Sequence, residues 1–174
     1  MKNYLKSIAS LTIICAVATL LLAYTNMLTS PIVEKNDREA ENAALLVVMP
    51  EGKDFSAVDM SEYSLPEAVT GVYRESGGGH VIKLSASGYS SGMIILCGVD
   101  SAGKITGATC LSSGETLGYE KTYGERLLGA TSETIDSVDT VSSATKTTLG
   151  YRNAVKDALY TADVINGKGG DLNE

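Results

Sequence analysis

The chain has no tryptophan, one phenylalanine, one histidine and three prolines. With Phe55 alone and no Trp, a core has to be built from Val, Ile, Leu, Ala and the nine tyrosines. The three cysteines, Cys15, Cys97 and Cys110, lack metal-ligand spacing and give no zinc signal. Asp54, Asp59 and Glu62 lack the spacing of a calcium loop. No helix and no Lys-Ser/Thr pair follows Gly77-Gly78-Gly79, so this run is not a nucleotide loop. No Ser-His-Asp or Cys-His arrangement supports hydrolysis, and the lone His80, next to a glycine turn, is expected to face solvent. Basic charge is also short, with 14 Lys and Arg against 21 Asp and Glu and a formal net charge of −7. An acidic chain without a basic stripe is not built for nucleic acid.

What is present begins with an apolar N-terminus. From Ser7 to Val33 there is no charged residue, and Ile8 to Leu22 is almost wholly apolar. A helix crosses a bilayer with roughly 20 apolar residues. Lys2 and Lys6 precede the run and Glu34 is the first acidic residue. The positive-inside rule then predicts a cytoplasmic N-terminus and an extracytoplasmic domain in the cell membrane. A cleaved signal peptide is the rival reading. Ala23-Tyr24-Thr25 is a poor cleavage site and the run is long for a signal, which favours an uncleaved anchor in contact with lipid. Ile14 is too bulky to make Cys15 a lipoprotein site, so Cys15 reads as a packing residue.

The 174 residues divide into an anchor at 1–29, a juxtamembrane helix at 30–50, a domain at 51–166 and a polar tail at 167–174. Ser30-Pro31 can start the second helix, which runs over Glu34 to Val48 and stops at Pro50-Glu51-Gly52. Asp54 to Pro66 is polar and irregular. Alternation and turn residues predict strands at Val69 to Tyr73, His80 to Ala86, Met93 to Val99 and Ile105 to Leu111, an antiparallel meander of four. Gly88-Tyr89 bends the chain between the second and third. A turn near Ser101-Ala102 would pair Cys97 with Thr106 or Gly107, leaving Cys110 about 10 Å from it at the strand rise, too far for a disulfide. Ser112 to Asp139 reads as loop with a short helix at Tyr123 to Leu128. Thr145 to Val164 reads as a helix with Leu149, Val155, Ala158 and Leu159 near one face. The class is α+β: a single N-terminal transmembrane helix, then an antiparallel sheet with packed helices.

Chemistry concentrates just ahead of that last helix. Ser142, Ser143, Ala144, Thr145, Lys146 and Thr147 form a cluster of small and hydroxyl residues with one cation. Helix N-termini present unpaired N–H groups and partial positive charge, and small side chains let a phosphate approach them. The same residues also suit an ordinary N-cap. On the residues alone the ordinary N-cap is the favoured reading, because Ser and Thr are routine at helix starts.

Asp139-Thr140-Val141-Ser142-Ser143-Ala144-Thr145 resembles the flavinylation motif D-x-x-[ST]-G-A-T of RnfG- and NqrC-type redox subunits. Asp139, Ser142, Ala144 and Thr145 match at the right spacing, and Ser143 stands for the usual glycine. The resemblance extends through Asn26 to Glu34, Leu45 to Pro50, Gly88-Tyr89, Ile94 to Asp100 and the return at Gly103-Lys104-Ile105. Glu115-Thr116-Leu117-Gly118 is similar to the family's E-T-P-G segment, with Leu117 for proline, and Glu120 for a glycine, as departures. It implies an FMN-binding domain with FMN joined through its phosphate to Thr145 by a separate flavin transferase, and a part for Asp139 in recognition by that enzyme. Ser142, Ser143, Ala144, Lys146 and Thr147 would then surround the phosphate, and Glu115, Thr116, Leu117 and Gly118 the isoalloxazine ring. The implied role is electron relay beside the other membrane subunits of an Rnf-type complex, which couples ferredoxin:NAD oxidoreduction to Na⁺ or H⁺ translocation. Two alternatives remain: a stand-alone anchored flavoprotein for extracellular electron transfer, and a non-redox assembly module that has lost the flavin.

Overall fold

The computed structural model of the chain describes residues 11–12, 15–25 and 42–167. Most of the expected anchor, the first part of the juxtamembrane helix and the tail beyond residue 167 lie outside these. The chain forms two units, 1–41 and 42–174. In the first, residues 15–25 are helical. Among the described residues no helix is long and apolar enough to cross a membrane.

The second unit is an antiparallel sheet with a helix on each face. Its strands lie side by side in chain order: β1 (Ser56–Ala57), β2 (Val69–Arg74), β3 (His80–Ala86), β4 (Met93–Val99) and β5 (Ile105–Ser112). The sequence indicates the last four. β1 is added by the pairing of Ser56 with Arg74 and Ala57 with Tyr73. Two exposed residues carry no alternation from which a strand could be read.

Strand alternation divides the core. Ile82, Leu84 and Ala86 of β3 and Ile95, Cys97 and Val99 of β4 face helix α2 (Thr145–Ile165), which returns Tyr151, Val155, Ala158, Leu159 and Ala162. Val81 and Leu96 point the other way, onto Leu45, Val48 and Met49 in and just after helix α1 (residues 42–48). Gly98 and Gly107 face each other across β4 and β5, and a Cβ on either would stand 2.6 Å from the Val48 carbonyl oxygen. Thr106 donates its hydroxyl to that same oxygen at 2.7 Å.

Three sequence expectations are corrected, and the short helix expected at Tyr123 is found as a 3-10 helix. Leu149 is exposed, and the inward side of the first turns of α2 is made instead by Thr148 and Tyr151. Tyr151 packs edge-on against Tyr123, with ring centroids 5.6 Å apart at 79°. The segment at Tyr123 is a 3-10 helix (Tyr123–Leu127), one of three between β5 and α2. Cys97 stands opposite Ala108 and Cys110 opposite Ile95, because a bulge at Gly98/Val99 adds a residue to the register. The two cysteines are therefore diagonal neighbours, a relation that spans roughly 7–8 Å, and both are free thiols. His80 is buried rather than solvent-facing: it is already part of β3, between Arg74 and Val99, and neither ring nitrogen has a partner. Burial, and then the nearby Arg74 charge, hold its pKa below the usual histidine value.

One contact fixes where the site forms. The bend at Ser87-Gly88 is pressed against α2. A Cβ on Gly150 would run into the Ser87 carbonyl, and one on Gly88 would stand 2.7 Å from the Thr147 Cα. Glycine at both positions lets the loop after β3 lie on the first turns of the helix.

Candidate functional site

The site grows from the start of α2. Its N-cap is Ala144, which offers no side-chain oxygen to the helix. The first intrahelical bond runs from the Thr148 N–H to the Ala144 carbonyl at 2.9 Å. The N–H groups of Thr145, Lys146 and Thr147 are thus the orphan donors of an uncapped helix end. The cluster does not act as an ordinary N-cap. Its hydroxyls are spent elsewhere, or not at all.

Thr148 fixes the turn: its hydroxyl donates to the Ala144 carbonyl at 3.0 Å and accepts from the Val141 N–H at 3.2 Å. Ser143 donates to the Tyr119 hydroxyl at 3.1 Å, so the residue that replaces glycine in the motif ties the turn to the 3-10 helix Tyr119–Lys121. Thr145 is exposed, and its hydroxyl lies 3.3 Å from the Ser142 carbonyl and 3.4 Å from that of Val141. The hydrogen is held by backbone and the oxygen remains open to attack an electrophile. Lys146 is exposed beside it.

The helix start opens on a cleft of about 430 Å³, a size within the roughly 300–1,000 Å³ of ordinary ligand clefts. Residues 142–147 form one wall and Glu115, Thr116 and Leu117 another. The structure therefore brings together nine of the residues singled out from the sequence, across an interval of about thirty positions. Two of the singled-out residues stand outside the lining. Gly118 takes the left-handed conformation, φ +73°, where the 3-10 helix Tyr119–Lys121 begins. Asp139 is exposed ahead of the turn.

Glu115 joins the walls. One carboxyl oxygen accepts from the Ser90 N–H at 2.8 Å and the other from the Thr147 hydroxyl at 2.5 Å. Both oxygens are thus engaged by the protein, and the side chain acts as a brace. Behind it Glu120 is buried, with one oxygen accepting from the Ser113 hydroxyl at 2.9 Å and the other without a partner. Sequence reasoning missed Tyr89, which lines the cleft with 76% of its surface exposed. A tyrosine after a glycine bend gives no signal of this, since its place depends on the packing of Gly88 against Thr147 and on the Glu115 bridge.

Residues 88–160 match the family model described as FMN-binding domain. That interval holds Tyr89, the Glu115 loop and the start of α2. The RnfG protein of Acetobacterium woodii, which belongs to that organism's Na(+)-translocating ferredoxin:NAD(+) oxidoreductase complex, is 32% identical over 120 residues. The match covers 61% of this chain and 58% of that protein. The chain thus spans less than two thirds of the length of this relative.

Proposed function

We propose that this chain, RnfG-like and built on an FMN-binding domain, is an electron-transfer subunit carrying FMN covalently on Thr145. The observation behind this reading is the uncapped start of α2, which opens into the cleft with the Thr145 hydroxyl exposed at its rim. A phosphate monoester of a flat, largely apolar ring suits such a place: anion at the helix end, ring between loop walls.

Bound FMN supplies reversible electron transfer, and the protein sets its position and potential. The N–H groups of Thr145, Lys146 and Thr147 hold the phosphate, and Lys146 adds positive charge. Ser142, Ser143 and Ala144 are small enough to let it reach the backbone. Glu115, Thr116 and Leu117 border the ring, and Gly118 turns the chain just after them. Thr145 is an acceptor, not a catalyst: a flavin transferase moves the FMN phosphoryl group from FAD to the Thr145 oxygen, AMP leaves and the hydroxyl proton is released. Asp139, exposed and outside the cleft, suits recognition by that transferase.

On this reading the protein is one relay in an Rnf-type membrane complex that couples ferredoxin:NAD oxidoreduction to Na⁺ or H⁺ movement. Residues 1–29 anchor it by a single pass, with the N-terminus cytoplasmic. Residues 30–50 lead to the flavin domain at 51–166 on the extracytoplasmic side, and 167–174 form a tail. The A. woodii relative supports the kind of complex, and the motif supports the attachment.

Intact mass and flavin fluorescence after denaturation, on protein from cells that make the transferase, test the attachment. A gain of one FMN less water is expected, abolished by Thr145→Ala. A bare chain would instead indicate a non-redox module. A loaded chain that co-purifies with no other membrane subunit would indicate the stand-alone flavoprotein.

A further inference from the structure

An exposed tyrosine is unremarkable by itself. Tyr89 differs in how its neighbours are held. Gly88 lies against Thr147, where even a Cβ would not fit. The Gly88 N–H donates to the Ser90 carbonyl at 3.0 Å, closing a tight turn around Tyr89. The Ser90 N–H is bound by Glu115, whose other oxygen holds Thr147 in the first turn of α2. The backbone on both sides of Tyr89 is thus fastened to the helix that forms the cleft wall. Its ring has a fixed base and an open face. The other large apolar side chain on the cleft wall, Leu117, is also exposed, at 64%. Two large apolar groups exposed on one cleft suit a flat occupant that covers both.

We propose that Tyr89 stacks on the isoalloxazine ring of the bound flavin, with Leu117 as the second apolar contact and Glu115 as the positioning residue that holds Tyr89 in place. This rests on the flavin reading of the site and assigns to it a residue from a separate loop. The cleft then consists of two parts: a phosphate end at residues 142–147 and a ring end at Tyr89 and Leu117. Attachment at Thr145 fixes where the flavin is tethered, and Tyr89 fixes how its ring lies.

The test uses the full, flavin-loaded chain, comparing wild type with Tyr89→Leu, Tyr89→Phe and Glu115→Ala. Intact mass gives the FMN load, while native flavin fluorescence and visible circular dichroism report the ring. Tyr89→Leu is expected to keep the load while fluorescence rises about two- to ten-fold, the population change that one lost aromatic pair produces. Its visible dichroism should weaken. Tyr89→Phe should keep the dichroism, since a phenyl ring stacks without the hydroxyl. Glu115→Ala should move both signals in the Tyr89→Leu direction, by less. A loaded Tyr89→Leu protein with wild-type fluorescence and dichroism overturns the stacking role alone. A wild-type chain that takes no flavin overturns the site reading, and the role of Tyr89 with it.

Discussion

The two faces of the sheet are covered by opposite means. On one, the 21 residues of α2 are held by bulk: Val155, Leu159 and Tyr151 enter a cluster that runs the length of β3 and β4. On the other, the helical residues described at 42–48 are held by proximity. Glycines at 98 and 107 leave room for the Val48 carbonyl to lie on the sheet, and Thr106 fastens it. The difference fits the site proposed at the first turn of α2. A helix that presents a ligand site at its first turn must have its whole length fixed, and many interdigitated side chains do that. A helix that only covers apolar surface can be secured by one close approach and a few side chains.

Substitutions on each face should separate the two modes. Leu159→Ala removes a fully buried side chain from the α2 face. It should cost about 2–5 kcal/mol, read by urea unfolding. Gly107→Ala brings a methyl group to 2.6 Å from the Val48 oxygen. It should cost about 1–3 kcal/mol and speed proteolysis near residues 42–48, while leaving flavin loading unchanged. If Gly107→Ala proved as costly as Leu159→Ala and also blocked loading, the two faces would not be independent. The smallest expected effect concerns acid. By alternation His80 lies on the α2 side, and its folded pKa is lowered. The unfolded chain then binds the proton more readily than the folded one. Stability should be full above about pH 6.5 and decline as pH falls toward the folded pKa. His80→Leu should flatten the profile between neutral pH and about 5.5, the range just below the unfolded histidine pKa. An unchanged slope would place the acid sensitivity in the carboxylates.

The β-meander was legible because β2 to β5 carry alternation and turn residues, both local signals. β1 was not, since only pairing makes Ser56–Ala57 a strand. The cysteine register failed on a bulge at Gly98/Val99, which no residue type announces. His80 was misread from its glycine neighbours, whereas its burial comes from strand partners distant in sequence. On α2, Thr148 and Tyr151 face the core where a hydrophobic pattern pointed to Leu149. The helix-start wall of the cleft was readable because residues 142–147 are contiguous, and the Glu115 loop came through family resemblance. Gly88-Tyr89 came through the resemblance as well, but the place of Tyr89 in the cleft did not, because it depends on Gly88 packing against Thr147 and on Glu115 bridging Ser90 and Thr147.

The edge-on pair of Tyr123 and Tyr151 has an optical consequence. The chain has no tryptophan to dominate its near-ultraviolet spectrum. Two immobilised phenol rings at 79°, buried between the sheet and α2, therefore supply a chiral signal that depends on their mutual geometry. When the long helix lifts from the sheet, that signal disappears even if the helix itself persists. The protein thus carries a built-in spectroscopic gauge of helix docking, separate from any reading of helix content.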